Sequence, residues 1–343
     1  MLGVRLLDRV DEFQRRHRLV AMPIAVSKRF GEHGGTRLAA TVSYYSFFSV
    51  FPLLLALVTI LGIVLQDRPD LRDDLLDGFL GQIPVIGTQL TDAQQPLEGS
   101  IWVLVLGLAT AIWAGLGAVG ALQQAFDDIS DVPVHRRPTF LMKRLRELAF
   151  LGLLGIGLAA STLMSNIATL FDLGVFAGAV GLLLSLVIDA ALLLMMFSVL
   201  PAERRAVRLL LPGAVVGAVG LVVLQQLGSY VVRRFIAGAS DTYGTFAVVI
   251  ALLSWFHLVS RLLLLSAELN EVLLHDLSPR RLLAGGSATD ADRRAQMLDV
   301  QRIQRDPTTG YAVTIDQHVS TDEDPLGDDD PATVTGPSTG VSS

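Results

Sequence analysis

The stretch LGVFAGAVGLLLSLVIDAALLLMMFSVL, residues 173–200, decides the fold class of this chain. It contains one charged side chain, Asp189, and its polar and apolar positions do not alternate. Roughly 20 apolar residues form a helix long enough to cross a lipid bilayer, whereas a barrel strand alternates over about ten residues. The stretch therefore predicts a membrane-spanning α-helix.

Five further apolar runs of similar length occur along the chain. Four contain no Lys, Arg, Asp or Glu, and the fifth, 242–267, contains only Arg261. A large soluble helical core is the alternative, but its helices would carry polar stripes that these runs lack. The sequence thus predicts an all-α polytopic membrane protein, a bundle of six transmembrane helices. The expected spans are residues 38–65, 99–123, 148–170, 174–200, 209–232 and 243–268.

The composition agrees with a membrane protein. Hydrophobic residues make up 51% of the 343 residues and charged residues only 17%, where a soluble chain carries about a quarter. The mean hydropathy is +0.52. The chain has no Cys, which excludes disulfides, thiolate metal sites and a Cys nucleophile.

The basic residues of the loops predict the orientation. Cytoplasmic loops carry an excess of Lys and Arg near the membrane. Sixteen basic residues fall in the segments before the first span and after the second and fourth, against four in the opposite loops. We therefore expect a bacterial inner-membrane protein with both termini in the cytoplasm.

The segments that flank the spans have their own patterns. Residues 1–37 mix apolar positions at helical spacing with Arg, which predicts an amphipathic cytoplasmic helix. This helix would lie either on the membrane surface or docked on the ends of the bundle. Residues 285–343 are acidic and turn-prone, which predicts a disordered cytoplasmic tail, with a short helix around residues 291–305.

Ionisable residues inside the apolar runs are the strongest functional signal. Asp189 lies in the fourth span, and His257, Arg261 and Glu268 share one face of the sixth. A charge near the bilayer centre costs at least about 3 kcal/mol, so these side chains should face inward and pair, Asp189 with Arg261. They predict a polar cavity or an ion-linked site between the two spans. A purely structural ion pair is the alternative.

The first span adds a candidate hinge. Pro52 removes a backbone donor and predicts a kink. Hydroxyl groups at four-residue spacing could line a polar pathway beside it or simply bond neighbouring helices. The supporting polar residues of the predicted site are Thr41, Tyr45, Ser49, Ser185, Ser254 and Asn270.

Nothing in the sequence indicates catalysis. The six His residues show no metal-ligand spacing, and there is neither a Gly-rich phosphate loop nor a nucleophile elbow. We therefore expect no enzyme activity, no cofactor, no metal and no nucleic-acid partner. Membrane lipids are the expected surroundings of the chain.

Four ordered stretches resemble the YihY / virulence factor BrkB family of bacterial inner-membrane proteins, once mislabelled as ribonuclease BN. They are residues 39–52 (AATVSYYSFFSVFP), 200–205 (LPAERR) with 211–214 (LPGA), 229–231 (SYV) with 242–247 (TYGTFA), and 266–270 (SAELN).

The resemblance implies six membrane helices and a role in envelope integrity, with transport of a lipid or solute suspected. A structural scaffold without transport is the alternative. Two positions depart from the family pattern. Ser266 stands where the family usually has Gly, which predicts looser packing around the sixth span. Residues 126–130 (FDDIS) replace a stretch with Asn and Trp, which leaves the role of that loop open.

Overall fold

The structure is a computed structural model, and it describes residues 11–12, 14, 16–64, 101–170, 177–231, 240–281 and 288–305. These residues form eight α-helices and one short 3-10 turn, Val134–Arg136. The helices are α1 (Arg18–Glu32), α2 (Gly35–Val64), α3 (Ile101–Ile129), α4 (Phe140–Leu170), α5 (Ala177–Val199), α6 (Val207–Val231), α7 (Ser240–Leu274) and α8 (Asp290–Arg305).

The six long helices, α2 to α7, contain the six apolar runs. Each has between 23 and 35 residues, so each extends for at least about 30 Å, the thickness of a bilayer's hydrocarbon core. Three carry clear apolar spans within the described residues, at Val180–Val199, Val207–Gly228 and Val249–Leu274. The predicted all-α class is confirmed, and the count of six spans stays a prediction.

Large apolar side chains cover the outside of these helices. Trp113 is 77% exposed, Phe246 76% and Ile156 68%. Large apolar side chains are unfavourable in contact with water. The outer surface is therefore suited to contact with lipid chains.

The long helices pack in chain order and close into a ring. Each contacts the next from α2 to α7, α7 returns to α2, and α3 also reaches α7 across the ring. Neighbouring helices run antiparallel. Accordingly, the start of α2 packs near the ends of α3, α5 and α7.

The main core lies at this end of the ring. Buried side chains from α2 to α7 meet there, among them Phe126 and Phe197, whose rings form an edge-to-face contact at 5.5 Å. A smaller cluster joins Phe47 and Val50 of α2 to Leu252 of α7 further along. Within the described residues, the larger of these two apolar clusters therefore lies at the end of the ring where α2 begins.

Helices α1 and α8 dock on the same end of the ring. Ala25 and Val26 of α1 pack with Val272 of α7 and Ala295 of α8 in a separate apolar cluster. A left-handed backbone at Gly34 (φ 64°) separates α1 from α2. Helix α1 therefore packs on the end of the bundle, whereas the position of residues 1–10 of the predicted N-terminal helix stays a prediction.

Two predicted segments are only partly described. Within the predicted tail, 285–343, residues 290–305 form α8, which corresponds to the short helix predicted around residues 291–305, and its Ala291 and Ala295 are buried. Residues 306–343 of the tail and 1–10 of the N-terminal segment lie outside the described residues.

Candidate functional site

A cavity of about 380 Å³ lies among the long helices, and all six contribute to its wall. Most of the lining side chains are aliphatic. The polar ones are Ser46 and Ser49 of α2, Asp189 of α5, Gln225 of α6 and Ser260 of α7. A mostly apolar pocket with a few convergent polar groups is typical of a binding site for a small ligand.

Asp189 supplies the only charged group in this wall among the described residues. Its side chain is partly buried, and neighbouring positions of the same helix, Leu192 and Leu193, line the cavity beside it. Within the described part of the chain, no charged side chain acts on Asp189. An unpaired carboxylate in such surroundings is costly and marks a functional site by default.

The predicted pair of Asp189 and Arg261 is not formed, and this prediction is wrong. Arg261 is exposed near the docked end of α7, where its guanidinium lies 5.7 Å from the centre of the Phe30 ring of α1. The Phe30 ring of α1 therefore provides an aromatic face for the guanidinium, which attracts a cation without any carboxylate partner.

The remaining predicted residues fall in several places. Ser49 lines the cavity, and its hydroxyl donates to the Ser46 carbonyl. Pro52 lies within α2, which continues as a helix to Val64, so the hinge stays a prediction. Outside the cavity lining, His257 is partly buried, whereas four side chains are exposed: Thr41, Tyr45, Ser185 and Ser254.

Asn270 links α6 to α7. Its side-chain oxygen accepts a hydrogen bond from the Gly213 amide at 2.8 Å, and the side chain is buried. This contact holds the start of α6 against the end of α7.

Glu268 belongs to a buried ion cluster at the docked end, not to the cavity. We define this cluster by five residues: Arg29, His33, Asp131, Glu268 and Asp299. Glu268 is fully buried, and one of its oxygens lies 2.5 Å from Nδ1 of His33.

Arg29 completes the cluster from α1. Its guanidinium pairs with Asp131 at 2.5 Å and with Asp299 of α8 at 2.9 Å. Asp131 adopts a left-handed backbone (φ 53°), which Asp tolerates better than most residues. The cluster therefore joins α1, α7, α8 and the residues that follow α3.

A second set of ion pairs fastens α1 to α8 beside the cluster. Arg280 forms a bidentate pair with Glu32 at 2.7 and 2.8 Å and also contacts Asp292 at 3.1 Å. Asp292 receives further hydrogen bonds from Thr289 and Arg281. Burial disfavours its charge, but these bonds outweigh burial and hold the pKa of Asp292 below its usual range.

The cluster keeps His33 protonated. Burial alone would lower its pKa, but hydrogen bonds to Asp131 and Glu268 and the charge of Glu268 outweigh burial and the opposing charge of Arg29. The pKa of His33 is therefore raised from 6.5 to about 9. Because the folded pKa exceeds the unfolded one, the stabilisation is fully present below about pH 6.5 and is lost as the pH rises through about 9.

This linkage gives a measurable pH dependence. We expect the thermal unfolding midpoint in neutral detergent to fall between pH 7 and pH 9.5 more steeply for the wild type than for His33→Gln. Other groups titrate in both proteins, so the difference between the two slopes isolates His33. Equal slopes would show that His33 carries no extra proton in the folded protein.

The sequence prediction missed most members of both sites. Gln225 and Ser260 of the cavity carry no charge to mark them within their apolar runs.

Among the described residues, no three His, Cys, Asp or Glu side chains are grouped to hold a metal ion. Among its described lining residues, the polar groups of the cavity include one carboxylate, one amide and three hydroxyls.

Long apolar helices, an apolar exterior and a cavity with one carboxylate among its described lining residues are the features of a helical membrane protein. The family model described as Virulence factor BrkB matches residues 26–289. The chain belongs to this family, as the four sequence stretches predicted.

Curated relatives of the chain include two proteins named as membrane proteins and one named as ribonuclease-like. YhjD of Escherichia coli (strain K12), named an inner membrane protein, is 25% identical over 74% of this chain and 81% of its own length. YfkH of Bacillus subtilis (strain 168), named ribonuclease-like, is 26% identical over 71% of this chain and 92% of its own. A protein of Pseudomonas aeruginosa (strain LESB58), named a UPF0761 membrane protein, is 27% identical over 75% of this chain and 62% of its own. No solved structure matches the chain significantly.

Proposed function

We propose that this protein moves a lipid-like or small amphipathic substrate across the bacterial inner membrane through the cavity among its six long helices. The cavity, in which Asp189 has no charged partner among the described residues, is the observation that carries the proposal. An aliphatic wall accepts the apolar part of such a substrate, and the polar side chains accept its head group. The proposed role includes no catalytic step, cofactor or nucleic acid.

The proposal includes six spans with both termini in the cytoplasm. Two observations support this topology. The six long helices run antiparallel in chain order, so that successive connections alternate between the two ends of the ring. The docked end holds α1 and α8, and the loop arginines Arg136, Arg137, Arg204 and Arg205 follow helices that end there.

A structural scaffold is the second candidate function. It is favoured by Arg261, Glu268 and Asn270, three predicted site residues that make packing or ion contacts and do not line the cavity. The function of a scaffold would depend on the buried ion cluster but not on an open cavity. Blocking the cavity while sparing the cluster therefore separates the two candidates.

Ala118→Phe provides that block. Ala118 of α3 lines the cavity, so a phenyl ring at this position would occupy space that a substrate needs. Ala109→Phe is the matched control, because Ala109 is exposed on the same helix. Purified protein in phospholipid vesicles would be tested with fluorescent amphiphiles that bear cationic, zwitterionic or anionic head groups.

We expect the wild type and Ala109→Phe to move at least one amphiphile faster than protein-free vesicles, and Ala118→Phe to return that rate to the protein-free value. A scaffold predicts no acceleration for any member of the panel. Acceleration that survives in Ala118→Phe would likewise contradict transport through this cavity.

A further inference from the structure

The charge of the cavity wall is one-sided. Among the described residues of the wall, Asp189 is the one ionisable side chain, and the other polar groups that line the cavity, Ser46, Ser49, Gln225 and Ser260, are neutral. Within the described residues, neither a basic side chain lines the cavity nor a charged one acts on Asp189. Within the described residues, the cavity therefore offers one carboxylate and no basic side chain to pair with it.

An unbalanced carboxylate selects what binds beside it. Surroundings of low dielectric strengthen the attraction for a positive charge and the repulsion of a negative one. A zwitterionic head group carries a negative charge as well, and this charge would find no basic side chain among the described residues of the wall. A buried unpaired charge is costly. Electrostatics thus favours a ligand with a single positive charge.

The rest of the wall fits the body of such a ligand. Leucines and valines from several helices supply aliphatic surface, and Trp255 and Phe256 of α7 add aromatic rings. Aromatic faces attract cations as well as apolar groups. A cavity of about 380 Å³ lies within the range, roughly 300–1,000 Å³, of pockets that hold small molecules.

We propose that the cavity binds a lipophilic monocation, a molecule with one positive head group on an apolar body, and that Asp189 is its counter-ion. This inference deepens the proposed function, because it names the substrate class of the same cavity. The shared chemistry is that of a cationic lipid head group or of a free lipophilic cation.

Two ions of similar size and opposite charge test the proposal directly. Tetraphenylphosphonium and tetraphenylborate share four phenyl rings, so they differ chiefly in the sign of their charge. Binding of each would be measured by equilibrium dialysis against the full-length protein in a neutral detergent. The proteins compared would be the wild type, Asp189→Asn and Asp189→Glu, each first checked for its thermal unfolding midpoint.

We expect tetraphenylphosphonium to bind the wild type and Asp189→Glu. Asp189→Asn should weaken this binding by roughly 30-fold or more, since loss of one partner of a desolvated charge pair has an effect of that size. Tetraphenylborate should bind no more tightly to the wild type than to Asp189→Asn. Equal affinity of the wild type for both ions, or an unchanged affinity of Asp189→Asn for the cation, would overturn the proposal.

Competition then identifies the source of the cation. Displacement of bound tetraphenylphosphonium by a two-chain cationic lipid supports a lipid head group, and displacement only by a single-chain alkylammonium supports a free compound. Displacement by neither would contradict the proposal.

Binding and transport can fail separately. Binding of the cation without movement of any amphiphile would overturn the proposed function and leave the ligand class standing. Movement of an anionic amphiphile by a protein that does not bind tetraphenylphosphonium would overturn the proposed ligand class and leave the proposed function standing.

Discussion

Replacing Glu268 by Ala is expected to lower the free energy of unfolding by about 3–5 kcal/mol, because it leaves a buried cation without its partner. Glu268 is fully buried against His33, and Arg29 lies in the same cluster with a side chain that is only 2% exposed. In a thermal unfolding measurement in neutral detergent, this corresponds to a fall of the midpoint on the order of 10 °C.

The exposed pair of Glu12 and Arg16 gives the control. These side chains likewise form an ion pair, at 2.7 Å, but they are 67% and 72% exposed. Surface pairs contribute only about 0–1 kcal/mol, so Glu12→Ala should leave the midpoint nearly unchanged. A midpoint for Glu268→Ala that matches Glu12→Ala would show that the buried ion cluster does not stabilise the fold.

A double variant separates the lost charge from the lost packing. Replacing both partners of a buried pair by apolar residues is often neutral, whereas removing one partner is not. We therefore expect His33→Leu/Glu268→Leu to be more stable than Glu268→Ala. Recovery will be incomplete, since Asp131 also lies 3.4 Å from His33.

The fold class and the position of Asp189 inside an apolar run could be predicted from the sequence, because both depend only on residues that are near each other in the chain. Six apolar runs long enough to span a bilayer define a helical membrane protein without any knowledge of how the helices meet. A lone charge within such a run is conspicuous whatever its partners. The structure places that charge in the wall of a cavity, where a functional group is expected.

The partners of the charges could not be predicted in the same way. Asp189 and Arg261 are the single charges in two apolar runs, so an ion pair between them was the simplest prediction. In the structure, however, α1 places Phe30 next to Arg261. His33 and Glu268 are 235 residues apart in the chain. Nothing near His33 distinguishes it from the other five His residues. Such contacts depend on helix packing, which the apolar pattern does not encode.

The sequence could also predict that some helices pack closely against each other. Gly213 and Gly217 lie one turn apart in α6, and small residues at that spacing let helices approach. A methyl group added at Gly217 would lie 2.8 Å from the Ser266 hydroxyl and 2.8 Å from a Leu193 methyl. Ser266 itself is buried and donates to the Leu262 carbonyl. The serine that departs from the family pattern thus lies in close contact with α6.

Gly213→Ala is expected to destabilise the protein strongly. A methyl group here would overlap the Ser266 carbonyl oxygen and the Asn270 amide of α7. A backbone oxygen cannot rotate away, so α6 must move and the hydrogen bond from the Gly213 amide to Asn270 is weakened. Overpacking costs about 1–3 kcal/mol, and an unsatisfied buried polar group costs about the same again. The thermal unfolding midpoint in detergent would report the loss.

Gly152→Ala makes the same chemical change with the opposite expected sign. A methyl group on Gly152 of α4 would meet no atom within 4 Å in the described structure. Ala is favoured over Gly inside a helix by about 0.5–1 kcal/mol, so this variant should be equally stable or slightly more stable. Helix propensity acts equally at both glycines. A fall in the unfolding midpoint for Gly213→Ala but not for Gly152→Ala would therefore measure the contact between α6 and α7. Equal shifts in both variants would show that this contact does not require a glycine at position 213.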